Sequence, residues 1–210
     1  LSIDGKVIYE CDPRLQNLYT RTFPQFTIRP QSIHIDGSPV HEDFDTHCAV
    51  GSLPKHFRKN LSDFNQKELR FLSATEKKAD FASRLKANSS STLIGICWRS
   101  EKLTVERNLN YSALQDWEPL LSVPGLTFVN LQYGDCEQEI QEVEQRLGIR
   151  IQRWKDVDLK NDLEAVIAII QNLTCVVTVA TAVSSLAAVA GAETYLLMQR
   201  NWMLMGMSDA

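Results

Sequence analysis

No GxGxxG, no GxxxxGK[ST] and no GxSxG occurs anywhere in the 210 residues. Those gaps disfavour the common dinucleotide and NTPase sites and weaken an α/β-hydrolase reading. There is no CxxC pair and no histidine at metal-ligand spacing. The cysteines Cys11, Cys48, Cys97, Cys136 and Cys175 are odd in number and widely scattered, which suits reduced thiols in a cytosol better than a disulfide framework. No apolar stretch approaches the ~20 residues that span a bilayer. The longest candidate, 173–189, is broken by Thr and Ser and reads as strand, loop and helix. A basic-then-apolar leader is missing too, so the sequons at Asn60, Asn88, Asn110 and Asn172 read as coincidence. The formal net charge of -4 and pI near 5.6 give no general pull toward nucleic acid or anionic membrane.

What is present is a core. Hydrophobic residues make up 44% of the chain, enough to exclude disorder. The early part reads as a strand at 6–10, a helix over 14–21 capped by Asp12 and Pro13, short strands at 26–28 and 32–35, and a loop over 36–44. A polar stretch over 55–87 reads as a helical connector. The Asn88-Ser89-Ser90-Ser91 linker places a boundary between parts 1–87 and 88–210. Beyond it the pattern is regular. Strands are expected at 92–98, 126–131, 149–154, 174–179 and 194–198, and helices over 110–121, 136–147, 163–173 and 182–190. Asp162 caps the third of these helices, and Gly191 stops the last. Such alternation predicts βαβ units and a parallel sheet whose strand C-termini share one edge, where ligands bind at a switch in strand order.

Three loops leave that edge. The first carries Arg99 and Arg107, which either donate to phosphate oxygens or are surface arginines after a strand. In the second, Gln132 offers an amide to a base or sugar, although a plain strand-to-helix turn fits equally. The third, 179–185, places the hydroxyls of Thr181, Ser184 and Ser185 where a strand gives way to a helix. Free N–H groups and hydroxyls there make an anion site, or else N-caps with close helix–sheet packing. His41 and His47 with Asp43 and Asp45 read as an acidic surface loop rather than a metal site. The basic cluster of Lys55, His56, Arg58 and Lys59 reads as a solvated face. Met198, Met203, Met205, Met207 and Trp202 read as core or interface.

The runs Ile94-Gly95-Ile96-Cys97-Trp98-Arg99, Phe128-Val129-Asn130-Leu131-Gln132, Asn161-Asp162-Leu163 and 177–187 resemble, in order and spacing, one family. It is the heptosyltransferase-like (family 9) glycosyltransferase module found at the C-terminal end of bacterial tetratricopeptide-repeat proteins. Val7-Ile8-Tyr9-Glu10-Cys11, Phe23-Pro24 and the stretch from Phe44 to Pro54 resemble the same family's first domain. The resemblance implies an α/β, GT-B-like architecture of two Rossmann-like parallel-sheet domains, the first apparently truncated at its N-terminus. It implies a cytoplasmic protein that transfers a sugar from a nucleotide-diphosphate donor (ADP-, UDP- or GDP-linked) to a protein or glycan acceptor. The expected chemistry is a metal-independent inverting displacement with no cofactor, no nucleic acid and no transmembrane segment.

Carried over by position, Thr181 and Ala182 would lie at the donor diphosphate, Arg99 and Arg107 near its charge, and Gln132 and Asp162 toward the nucleotide. Two departures stand out. The family's third loop often has Asp-Thr followed by a later His, where this chain has Ala180 and Ser185. The family's opening strand, glycine-containing loop and closing helices are not matched, so a fragment or a diverged member is expected. The alternative is a catalytically inactive GT-B-fold binding or scaffold module.

Overall fold

The computed structural model describes residues 5–32, 40–63, 70–86, 92–101 and 111–198. Its centre is a five-stranded, all-parallel sheet of β3 (Thr92–Cys97), β4 (Leu126–Asn130), β5 (Ile151–Gln152), β6 (Cys175–Val179) and β7 (Glu193–Leu197). The strand order is β5-β4-β3-β6-β7. The chain therefore walks outward from β3 to β5, returns to pair β6 with β3, and walks outward again. The reversal lies between β3 and β6, with Ile94 opposite Cys175 and Cys97 opposite Thr178. A separate two-stranded parallel sheet pairs β1 (Ile8–Cys11) with β2 (Thr27–Pro30). The described chain is thus mixed α/β with parallel sheets, as expected.

The sheet sorts its side chains by parity, because successive residues point to opposite faces. Ile94, Ile96 and Trp98 face Trp117, Leu121, Ile140 and Val143, which come from a 3-10 turn (Leu114–Trp117) and the helices α4 (Glu118–Leu121) and α5 (Glu137–Leu147). Cys97, Val129, Leu131 and Val176 face the opposite cluster, built on α6 (Leu163–Ile170) and α7 (Ala182–Ala190). This alternation explains the unbroken apolar run of β3: both of its faces are covered.

The helices of the N-terminal part join the second cluster. Between β1 and β2 lie a 3-10 turn at Pro13–Leu15 and α1 (Gln16–Thr22), which buries Leu18. After the short α2 (Leu53–Phe57), α3 (Thr75–Lys86) lays Phe81 and Leu85 against α6. The connector is therefore not one helix. Described pieces of it are α2, a 3-10 turn at Leu61–Asp63 and α3.

Local signals held where capping chemistry was explicit. The Asp12 carboxylate accepts from Arg14 N at 2.9 Å, and that of Asp162 from Ala165 N at 2.9 Å. Gly191 ends α7 with φ +75°, a left-handed conformation that L side chains resist. Other boundaries moved. The helix expected over 110–121 begins only at Leu114 as a 3-10 turn, and Pro119 then sits in the first turn of α4. The third long helix stops at Ile170, three residues early. The strand expected over 149–154 shrinks to two residues at the sheet edge. Side chains tie that edge down: Arg153 bonds Glu137 at 2.8 Å and Glu144 at 2.9 Å, and Glu144 also accepts from Ile151 N at 2.7 Å. The Arg153 guanidinium, with help from Gln141, holds the Glu137 carboxyl down at about 2. The strand expected at 32–35, the linker at 88–91 and the residues Met203, Met205, Met207 and Trp202 lie wholly or mostly outside the described residues. Among the described residues, no helix is long and apolar enough to cross a membrane.

Gly95 is the tightest position in the sheet. A Cβ there would stand 2.6 Å from Leu131 Cδ1 and 2.7 Å from Leu173 Cδ1. Leu131 is itself buried in the core and has little room to yield. Gly95→Ala is expected to destabilise the chain by roughly 1–3 kcal/mol through overpacking, read as a lower urea midpoint with an unchanged m-value.

Candidate functional site

The C-terminal ends of β3, β4 and β6 converge at the reversal in strand order. This is where an open parallel sheet leaves a crevice, because adjacent connections depart to opposite faces. On one side β6 runs through Ala180 into α7. Thr181, extended at φ -134°, is the N-cap, and its Oγ1 accepts from Val183 N at 3.2 Å. Ser184 N and Ser184 Oγ both return to Thr181 O, at 3.2 and 2.7 Å. Ala182 and Ser185 are exposed at the same helix end. The helix therefore presents its positive pole at the switch point, with small residues that let an anion come close.

Opposite it, the end of β3 is braced by Gln132. This amide is 1% exposed. Its Oε1 accepts from Trp98 N at 3.2 Å and Arg99 N at 3.0 Å, and its Nε2 donates to Tyr133 O at 2.9 Å. Asn130 fixes the Gln132 backbone in turn, accepting from Gln132 N at 3.0 Å and donating to Gln132 O at 3.2 Å. Cys97 Sγ lies 3.5 Å from Gln132 Oε1 and 3.6 Å from Thr181 Oγ1, so one buried thiol touches both sides of the crevice. Burial pushes that thiol up to about 11, and burial does the same to Cys136.

Arg99 does not point free into the crevice. Its guanidinium pairs with Glu139 in the first turn of α5 and donates to Asp135 O at 2.8 Å. Trp98 Nε1 donates to the other oxygen of Glu139 at 2.7 Å. The Glu139 carboxylate raises the Arg99 pKa further above its ordinary value. Ser100 and Tyr133 hydroxyls meet at 3.1 Å, and Lys160 pairs with Glu101 at 2.5 Å.

The expected site residues thus separate. Thr181, Ala182 and Ser185 stand at the helix end, as the sequence places them. Ser184 is beside them, but its hydroxyl is spent on Thr181 O. Gln132 is the clearest departure: it is buried, its Oε1 accepts from two backbone N–H groups and its Nε2 donates to Tyr133 O, so it holds the two loops together. Asp162 lies at the N-terminus of α6, where it caps the helix and pairs with Lys77 at 2.7 Å. Arg107 lies outside the described residues. The sequence gives Glu139, Asn130 and Tyr133 no bracing role, while Cys97 is buried as its place in an apolar run implies. Glu139 had one usable signal, a carboxylate in the first turn of a predicted helix, but nothing linked it to an arginine 40 residues away. Among the described residues, no group of three or more His, Cys, Asp or Glu could hold a metal ion.

No family model matches the chain. It is 31% identical over 206 residues to Protein FlbA of Caulobacter vibrioides, a match that takes in 94% of this chain and 35% of FlbA. The chain thus spans about a third of that relative's length. Among solved structures it is partly similar to E. coli ADP-heptose LPS heptosyltransferase II, with TM-score 0.46 and 17% identity over 68% of this chain and 44% of that one. It is also partly similar to a family 9 glycosyl transferase from Veillonella parvula, with TM-score 0.47 and 12% identity over 63% of this chain and 37% of that one.

Replacing Gln132 by Leu would strand the Trp98 and Arg99 N–H groups in a buried site. Gln132→Leu is expected to cost about 2–4 kcal/mol, measured by chemical denaturation. The cysteines offer a second check. Cys48 alone is exposed, while Cys11, Cys97, Cys136 and Cys175 are buried. Iodoacetamide at pH 7.5 should label Cys48 quickly and the other four only after denaturation, as peptide mass spectrometry would show.

Proposed function

We propose that this chain is a glycosyltransferase-like module of GT-B type that binds a nucleoside-diphosphate sugar at the reversal in strand order. The observation that carries the reading is the N-terminus of α7, capped by Thr181 and set at the switch point beside the end of β3. A diphosphate is the ligand that best uses that geometry: it is compact, doubly charged and bound through backbone N–H groups. The sequence resemblance to family 9 enzymes adds the sugar. In this reading residues 1–87 contribute an acceptor-side domain and 88–210 the donor domain. Thr181, Ala182 and Ser185 hold the diphosphate, with Arg107 supplying charge, and Asp162 marks the nucleotide side. Sugar transfer to a protein or glycan acceptor then proceeds by inverting displacement, with the helix end stabilising the departing diphosphate in place of a metal.

One set of observations favours a second reading, a module that binds without turnover. Arg99, Gln132 and Ser184 spend their polar groups inside the protein, and Ala180 and Ser185 supply neither a carboxylate nor an imidazole. The two readings diverge after binding. Both require that one of ADP-, UDP- or GDP-linked sugars stabilise the protein. A ligand at a hundred times its Kd adds about 2.7 kcal/mol, several degrees in Tm. Release of free nucleoside diphosphate during incubation separates transfer from binding alone. In Thr181→Val the ligand-induced shift should shrink, with affinity about tenfold weaker, beyond the loss of the cap itself. An unchanged ligand-induced shift in that variant removes the α7 end from the site.

A further inference from the structure

Two lobes of one chain normally move against each other, because the contact between them is modest in area and largely polar. The contact that α1 and α3 make with α6 departs from that pattern. Its centre is apolar and closed to water. Leu18 of α1 is 0% exposed and Leu85 of α3 is 1% exposed. Both lie in one cluster with Phe71, Phe81, Ile167, Ile169 and Ile170. Rings extend that cluster on both sides of the contact. Tyr19 of α1 meets Phe71 edge-on at 5.0 Å, and Phe81 of α3 meets Trp154, which follows β5, at 5.5 Å.

Polar ties hold both ends of the same helix. At its N-terminal end Lys77 pairs with Asp162 and Arg21 with Glu164, each at 2.7 Å, and Ala74 N donates to Glu164 at 3.0 Å. At its C-terminal end Ser73 Oγ donates to Gln171 Oε1 at 2.5 Å, and Gln171 Nε2 donates to Phe71 O at 3.0 Å. Asn172 Nδ2 donates to Lys78 O at 3.0 Å. Phe71 N adds a bond to Val189 O of α7 at 2.7 Å. A hinge turns about an axis that leaves one end of a contact in place. Here the two tied ends stand about 12 Å apart along a helix of eight residues. Rotation about either end therefore breaks the bonds at the other.

We infer that α1, the stretch 70–74 and α3 form a clasp on α6 that joins them to the five-stranded sheet as one rigid, cooperatively folding body, with no hinge between. The boundary drawn at 88–91 then separates sheets and not moving bodies. A ligand at the crevice is taken up by movement of loops and side chains, without rotation of the clasp against the sheet. Whatever binds the folded form alone stabilises α1 and α3 as much as it stabilises α7, because the whole body opens together. The inference holds whether or not the crevice transfers a sugar.

Hydrogen exchange on the intact chain in low urea, followed by mass spectrometry, reads the cooperativity. The slowest amides of α1, α3 and α6 are expected to open in one event, the global unfolding of the chain. Leu18→Ala leaves a cavity in the clasp. It should speed the slowest amides of α5, on the opposite face of the sheet, by the same factor as those of α6. A variant that speeds exchange in α1 and leaves α5 unchanged overturns the inference. If Leu18→Ala does not fold, Leu18→Val gives the same comparison at a smaller factor. Rigidity is read from a distance. With Cys48→Ser removing the exposed thiol, spin labels on Thr20→Cys in α1 and Gln138→Cys in α5 should give one narrow distance distribution. A broad or two-peaked distribution marks a hinge and also overturns the inference. Neither measurement needs a ligand, so both decide the matter even where no sugar nucleotide binds.

Discussion

A helix with no polar face dictates the arrangement of everything around it. In α6 every residue from Ala165 to Ile170 is at most 3% exposed. Such a helix is stable only if it is covered all round. The sheet and α7 supply part of the cover. The rest comes from the N-terminal part, through Leu18 of α1, Phe71 in the irregular stretch 70–74 before α3, and Phe81 and Leu85 of α3. Each isoleucine of α6 contributes roughly 1.5–3 kcal/mol by burial, a share lost if the N-terminal part were removed. The two parts of the chain therefore share one core along this helix.

Polar chemistry then sets the register of that shared core. The connection into α6 and its first turn are acidic, and the N-terminal part answers with cations. Arg21 meets Glu164 at 2.7 Å, Lys77 meets Asp162 at 2.7 Å, and Arg84 meets Asp156 at 2.7 Å. Arg14 adds a bond to Lys160 O at 2.9 Å. These pairs are half-exposed, so each adds little stability by itself. Their use is geometric: apolar contacts tolerate sliding, and charged hydrogen bonds at fixed points do not. Backbone bonds finish the job, with Phe71 N donating to Val189 O at 2.7 Å and Ala74 N to Glu164 at 3.0 Å.

How much of this was legible in the sequence follows from the range over which each cause acts. β3, β6 and α7 were readable because their signals are local: a β-branched or apolar run, a hydroxyl cap at Thr181, a glycine at 191. The parallel sheet followed from alternation alone. β5 was misjudged in length because an edge strand is held partly by side chains, here Arg153, Glu137 and Glu144, and that pairing leaves no periodic trace. The candidate site was legible as a place rather than as a list of contacts. The third loop was marked by small and hydroxylated residues, a property of the strand-to-helix turn itself. The roles of Gln132 and Arg99 were not, because a polar side chain after a strand looks the same whether it faces ligand or backbone. Only the approach of Glu139 and of the β3 backbone decides that question, and both come from folding at long range.

That distinction bears on what the crevice can do. A site built from the polar side chains first marked would have been ready-made, with an arginine, an amide and hydroxyls aimed at a donor. Instead the side chains brace the loops, and Thr181 already takes Val183 N and Ser184 N at the end of α7. An anion there meets Ala182, the exposed Ser185 and the helix pole, and must compete with that cap for the remaining N–H groups. Recognition through backbone N–H groups favours a phosphate and is indifferent to the base or sugar attached to it. For Arg99 to join, a ligand must displace Glu139, exchanging one carboxylate for the greater charge of a diphosphate. Electrostatics favours that exchange only if the Trp98 indole and the freed Glu139 find other partners, since an orphaned carboxylate beside a buried tryptophan is costly. On the proposed reading the brace would set a threshold: a weak anion would meet only the helix end, and a strongly charged one would recruit the arginine.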